Sequence, residues 1–469
     1  MYISILNFYR NISAEKRQPY LVVLIFILYL LLHLWPILRF GYTAFGYDTG
    51  IYRHYITGYF ERLGDTAITP FGFANFSNPL MLLGDSVDTI MFVWYLLIAV
   101  GMFWAFYLVA REFFNKQTAV FAVFLFTISA TQFAFYWWYY YRNYLALFLL
   151  LITLLLVKKK SWLAIFTLIG IGIIHPLTLA PLGIALLVYA IIDSSSRKFV
   201  LSSGIIAAVL LFLINWQELA LYLDQLDGSL GLAKNFVAAG RPEFTGSFIT
   251  PIIFVSAILI YLPYGILGLW QNFRKQILLT SFFGANLFLI LIGFAFYRRF
   301  LVFLDLMLII FAASYFTSAV QSVWTQKWGK QVVAIFVVVL LAIQVWLVVI
   351  RQPLISDSDF AAIRGADNLA GEYVLAIDST YAPWLYGFTN KKIIAPGMFE
   401  YDLWDREGWG RFWFTKNNQE RVELLEQYGG RPIYIFIGER YRDLGEKMME
   451  DSRFMKVVEG VIEYRNSME

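Results

Sequence analysis

Up to about residue 351 the chain alternates long apolar runs with short polar segments, and the runs are near the roughly 20 residues that a bilayer-crossing helix requires. The runs fall at 21–40, 89–110, 118–135, a stretch ending at Lys158-Lys159-Lys160, 199–214, 249–270, 277–296, 300–320 and 331–350. Between the lysine triplet and Arg197-Lys198 lies further apolar sequence interrupted by Gly170, Gly172 and His175-Pro176. Both basic clusters favour the cytoplasmic side, so the chain crosses an even number of times between them, and the Gly and Pro positions supply the break. This predicts two short spans with His175 at the outer turn, about eleven spans in all, and a polytopic α-helical membrane domain over 1–351. From 352 the pattern turns soluble. Apolar strands at 373–377 and 433–437 and helix-like stretches at 418–427 and 441–450 predict a small α/β domain over 352–469.

Composition agrees with a membrane class. At 59% hydrophobic and 15% charged, with a mean hydropathy of +0.63, the apolar surface exceeds what an ordinary soluble core buries. The net charge of +4 reflects the sidedness of the loops and gives no case for nucleic-acid binding. Arg10, Lys16 and Arg17 ahead of the first run place the N-terminus in the cytoplasm, hence the C-terminal domain outside a plasma membrane that the chain crosses many times. The first run is too long, and lacks the small-residue cleavage site, for a cleavable signal peptide. Cysteine is absent, which excludes disulfides, thiolate metal sites and a cysteine nucleophile.

By this topology the long outer loop 41–88 carries the first acid beyond the first run, Asp48, in Gly46-Tyr47-Asp48-Thr49-Gly50, followed by Tyr52-Arg53-His54-Tyr55. A carboxylate at the membrane surface suits proton abstraction beside a lipid-borne substrate. Asp-Thr-Gly is also helix N-cap chemistry, so a capping role stands beside the catalytic one. Asp65, Asp85 and Asp88, later in the loop, lack the flanking cluster. Other outer-face candidates are Arg142 after the aromatic run 136–141, His175, and Arg298-Arg299, a basic pair on the side where basic residues are disfavoured. Carboxylate plus arginines suits attack at a carbon whose leaving group is phosphate, the acid taking a proton while guanidinium groups hold the departing charge. The arginines could equally anchor lipid headgroups, His175-Pro176 could be a structural turn, and the aromatics form an interface belt. His33 and Asp305, inside spans, read as partners in buried polar networks. No Walker A, His-Glu-x-x-His, Gly-x-Ser-x-Gly or Cys-x-x-Cys motif occurs, so the sequence gives no support to ATP hydrolysis.

The acid early in a long first outer loop, the multi-span core with an inside N-terminus, and the soluble domain after the last span together resemble the GT-C superfamily of membrane glycosyltransferases. That superfamily includes protein mannosyltransferases, aminoarabinose transferases and oligosaccharyltransferases. The resemblance implies a GT-C-like fold and transfer of a sugar from a polyprenyl-phosphate donor to a lipid, glycan or protein acceptor at the extracytoplasmic face. It implies Asp48 as base or acceptor-orienting carboxylate, and Arg53, His54, Arg142, His175, Arg298 and Arg299 then become substrate-binding candidates. This chain departs from oligosaccharyltransferases in having no acid over 134–143, so a divalent metal finds no support there. Leu403-Trp404-Asp405 is a faint echo of their Trp-Trp-Asp acceptor motif, and Thr49 follows Asp48 where mannosyltransferase-like members pair acids. No cofactor is expected. The alternatives are a transporter or flippase of lipid-linked sugars, or an O-antigen ligase- or polymerase-like protein. Repeated halves would favour the transporter, and the sequence has none; the ligase would carry its main outer loop late.

Overall fold

The structure is a computed structural model that describes residues 14–41, 46–58, 71–82, 84, 86–138, 140–216, 249–294, 296–324, 328–396, 401–429 and 432–465. Asp65, Asp85 and the acidic and basic residues of the loop after the 199–214 run lie outside them.

Helix α1 (Ala14–Phe40) is followed by two short helices in the first loop, α2 (Thr49–Gly58) and α3 (Phe71–Met81). Then come α4 (Val87–Phe113), α5 (Lys116–Thr127), α6 (Ala130–Trp137), α7 (Tyr141–Lys158), α8 (Ala164–Ile174), α9 (Leu179–Ile192) and α10 (Ser194–Asn215). The bundle ends with α11 (Pro251–Ile258), α12 (Leu262–Asn272), α13 (Ile277–Leu291), α14 (Phe300–Trp324) and α15 (Gly329–Ile350). Six of the described helices are long and apolar enough to cross a membrane, or eight if the bent pairs α5–α6 (55°) and α11–α12 (81°) each form one span. The helices α8, α13 and the segment Pro176–Ile192 are apolar but shorter. The break between α8 and α9 falls at His175-Pro176, where His175 N–H closes α8 on Ile171 O (2.8 Å) and Pro176 opens a 3₁₀ turn.

Burial separates the inside of the bundle from its rim. In α14 83% of the apolar window is buried, against 17% in α10 and in α15, so α14 is central and the other two present apolar side chains outward, as lipid-facing helices do. Close packing on α14 uses small residues: a Cβ at Gly268 of α12 would lie 2.0 Å from Phe311 O. Asp305 of α14 is fully buried and accepts from Ser129 (2.8 Å), Gln132 (2.8 Å) and Tyr261. Ser129 and Tyr261 are the N-cap residues after the two breaks, so one intramembrane carboxylate ties both bends to the central helix. His33 donates from Nδ1 to Tyr29 O (2.8 Å) and lies edge-on to Tyr136, also within the bundle.

The C-terminal part contains α16 (Asp357–Asp367), β1 (Tyr373–Ala376), α17 (Ala382–Phe388), β2 (Lys392–Ile394), α18 (Arg406–Phe414), α19 (Asn418–Leu425), β3 (Ile433–Phe436), α20 (Arg442–Met448), β4 (Phe454–Val458) and β5 (Val461–Tyr464). The five strands are ordered β2-β1-β3-β5-β4; β1 is parallel to β2 and β3, and β5 is antiparallel to β3 and β4. Apolar clusters bury both faces, Leu375, Ile433 and Ile435 in one and Val374, Tyr434 and Phe436 in the other. Strands covered on both sides read as unbroken apolar runs, which is why β1 and β3 stood out in sequence. The β4–β5 hairpin, turning at Glu459-Gly460 with Gly460 at φ +73°, was not among the expected elements.

Candidate active site

Asp48 sits at the start of α2, held by main-chain bonds. Its N–H donates to Trp138 O at the end of α6 (3.2 Å), its C=O accepts from Tyr52 N–H (3.0 Å), and Thr49 Oγ1 donates to Gly46 O (2.7 Å) to close the turn. The carboxylate is buried and accepts from Tyr52 Oη (3.3 Å). Among the described residues it takes no backbone N–H of α2, so Asp48 occupies the N-cap position through its main chain while its side chain points elsewhere.

Three of the other candidates converge on it. Arg142 opens α7; its N–H donates to Tyr52 Oη (3.4 Å) and its Nε to Ile174 O (3.0 Å), beside His175. Arg299 ends the 3₁₀ turn Tyr297–Arg299, its guanidinium carbon 5.1 Å from the centre of the Tyr140 ring. Burial raises the Asp48 pKa from its ordinary 3.8 to about 6, and the charge of Arg299, the bond from Tyr52 and the charge of Arg142 pull against that rise. Burial also pushes up the phenols of Tyr47, Tyr52 and Tyr140, with the Asp48 charge adding to each. His175 Nδ1 pairs with Thr178 Oγ1 (2.7 Å); burial and then the charges of Arg142 and Arg299 lower its pKa and keep the ring neutral. Just before the double arginine, Phe296 adopts φ +51°, a left-handed conformation costly for an aromatic residue and of the kind concentrated at functional sites.

Arg53 and His54 have other partners. Arg53 forms an ion pair with Asp88 and lies over the Phe388 ring (4.6 Å), and His54 donates from Nδ1 to Tyr386 O (2.9 Å) with its ring stacked on Tyr386. Both belong to the contact between α2 and α17. Arg298 lies over the ring of Tyr297 (5.8 Å) and donates from Nε to its hydroxyl (3.4 Å). Trp404 is buried, its Nε1 donating to Leu424 O (3.2 Å), and Asp405 caps α18 by accepting from Gly408 N–H (2.8 Å), so the Leu-Trp-Asp echo is spent on structure.

One carboxylate was missed. Asp378 follows β1 directly, where the chain order reverses between β1 and β3, the place at which open α/β sheets tend to bind ligands. It accepts from Thr380 N–H (2.9 Å), Tyr441 Oη (2.5 Å) and Arg440 (3.4 Å), and neighbouring Ser379 O accepts from Tyr47 Oη (3.2 Å), next to Asp48. An acid and two hydroxyl residues placed straight after an apolar strand were the available signal. Among the described residues no three metal-ligating side chains converge, and the charges acting on Asp48 are those of Arg299 and Arg142.

The chain is a mainly helical bundle with apolar spans and a buried carboxylate near arginines. Comparison with known proteins supports a GT-C-type membrane glycosyltransferase. Residues 69–217 match the dolichyl-phosphate-mannose-protein mannosyltransferase family. The fold is similar to that of the oligosaccharyltransferase AglB from Archaeoglobus fulgidus in complex with an inhibitory peptide and a dolichol-phosphate. The TM-score is 0.64 at 13% identity, over 97% of this chain and 75% of that one. The Archaeoglobus fulgidus oligosaccharyltransferase tethered to an acceptor peptide containing the NVT sequon matches with a TM-score of 0.63 at 14% identity, over 97% and 74%. Its apo form matches with a TM-score of 0.62 at 13% identity, over 97% and 75%. No curated protein sequence matches the chain.

Proposed function

We propose that the chain transfers a sugar from a polyprenyl-phosphate donor to a hydroxyl-type acceptor at the extracytoplasmic face, with inversion at the anomeric carbon. The observation that carries this reading is the meeting of one buried carboxylate, Asp48, with the charges of Arg299 and Arg142. In the transfer, the acceptor oxygen bonds to the anomeric carbon and its proton passes to Asp48. The bond from that carbon to the phosphate oxygen breaks, and the electron pair leaves on the polyprenyl phosphate beside Arg299 and Arg142. A pKa near 6 leaves Asp48 mostly ionised at neutral pH yet basic enough to accept a proton. The dolichol-phosphate and acceptor-peptide complexes of the similar oligosaccharyltransferase favour a lipid-linked donor and leave the acceptor as lipid, glycan or protein. The test is sugar transfer by Asp48→Asn protein from a synthetic polyprenyl-phosphate hexose.

If each long helix, each bent pair and each shorter apolar helix is taken as one crossing from a cytoplasmic N-terminus, the chain crosses eleven times, Asp48 and the C-terminal part lie outside, and the α9–α10 connection lies inside. Ser196 there is buried and bonded to Tyr189 Oη (3.0 Å), whereas Ser194 is exposed and serves as the reporter. In the cysteine-free chain, Ser194→Cys is expected to stay unlabelled by an impermeant maleimide in intact cells and to react once they are opened. Labelling of intact cells would reverse the orientation.

A further inference from the structure

Helix α2 lies against α17 with no side chain between them at one point. A Cβ at Gly387 would stand 2.3 Å from both Cα and O of Gly50, and a Cβ at Gly50 would stand 1.6 Å from Pro383 O. These neighbours are backbone atoms, so nothing flexible can give way. Neither glycine has a positive φ, so closeness and not backbone conformation demands them. On either side, Tyr47 reaches Ser379 and packs edge-on to Trp384, His54 stacks on Tyr386, and Arg53 covers Phe388. Asp48 lies two residues before Gly50.

We propose that the Gly50–Gly387 seam is a positioning device by which the C-terminal sheet region sets the place of Asp48 in the transfer reaction. The inference rests on the role assigned to Asp48 above. Ordinary carbon contacts lie near 4 Å, so an added methyl must push the helices apart by more than an ångström, and misplacement of a reacting group by about 1 Å costs on the order of 10²-fold in rate. Parting the seam also admits water to a carboxylate whose basicity depends on burial. The groups facing it are Tyr52 on α2, Tyr47 beside it, Tyr140 and Arg142 at the start of α7, and Arg299 before α14; none of them is on α17. Rehydration therefore lowers the Asp48 pKa without changing its charged neighbours.

The experiment compares Gly387→Ala and Gly50→Ala with Gly365→Ala and Gly410→Ala in the full chain in lipid nanodiscs. The last two are glycines of α16 and α18 with open space where a Cβ would go. With polyprenyl-phosphate hexose as donor, the seam variants are expected to lose kcat by roughly 10²-fold at nearly unchanged donor KM. The acidic limb of their rate profile moves below about 6, and the two comparison variants behave as wild type. If the seam variants do not fold, His54→Phe keeps the stacking on Tyr386 but loses the bond to its carbonyl, and is expected to lower kcat and move the limb in the same direction. A folded seam variant, or a folded His54→Phe protein, with wild-type kcat and limb overturns the seam; so do comparison variants that lose kcat equally. An active Asp48→Asn protein overturns the base role itself, whereas an inactive one beside a fully active Gly387→Ala protein overturns only the seam.

Discussion

Asp48→Asn protein is expected to fold, to bind donor with near wild-type affinity, and to lose sugar transfer by about 10²-fold or more. The substitution nearly preserves shape, and the main-chain bonds to Trp138 and Tyr52 that seat the residue do not involve its side chain. The amide oxygen can still accept from Tyr52 Oη, but it cannot take up the acceptor's proton. The same variant is expected to be the more stable protein above neutrality. The folded pKa of about 6 lies above the ordinary 3.8, so the stability associated with this group is fully present below about pH 4 and is lost as pH rises through about 6. A neutral side chain removes that loss, which at pH 8 is about 1–3 kcal/mol for a shift of this size. Thermal unfolding in detergent at pH 8, beside a transfer assay, separates the outcomes: a higher midpoint with lost transfer supports the account, and wild-type transfer contradicts it.

The second large effect belongs to Arg299. Its guanidinium acts on Asp48 more strongly than any other charge in the site, and it is placed to hold the phosphate of the leaving lipid. Arg299→Gln is expected to weaken donor binding by roughly tenfold or more, the scale of a lost charge-assisted hydrogen bond. Because Arg299 lowers the Asp48 pKa, its removal is expected to move the acidic limb of the rate profile to higher pH. Arg298→Gln, whose side chain packs on Tyr297, should change both properties much less. Equal effects of the two substitutions would assign the pair to lipid anchoring instead.

The apolar runs made the helical bundle legible, and Gly170, Gly172 and His175-Pro176 the break between α8 and α9, because hydropathy and proline chemistry are local properties. Asp48, Arg142, His175 and Arg299 were legible as outer-face candidates, and the fold brings them together. Arg53 and His54 were grouped with Asp48 by closeness in sequence, although a helix beginning at Thr49 turns positions five and six residues after Asp48 away from the face that Tyr52 shares with it. Helical periodicity applied to that stretch would have separated them. Asp378 could not be connected to Tyr47 from sequence, since 332 positions separate the Tyr47–Ser379 bond partners. Asp305 was recognised as a buried polar partner, but its binding of both helix breaks depends on three separate spans meeting. The β4–β5 hairpin was obscured because β4 does not alternate: Met455 and Lys456 are both exposed and Val457 and Val458 both partly buried, so its five residues show no period of two.

The most direct test of Asp48 as the base is the single-turnover rate of wild-type protein preloaded with radiolabelled polyprenyl-phosphate hexose, followed between about pH 4.5 and 8. The expected result is a rate that rises with pH along a limb centred near 6, is lost in Asp48→Asn protein, and shifts upward in Arg299→Gln protein. A rate independent of pH over that interval, or a limb unchanged in the Asp48→Asn protein, would contradict it.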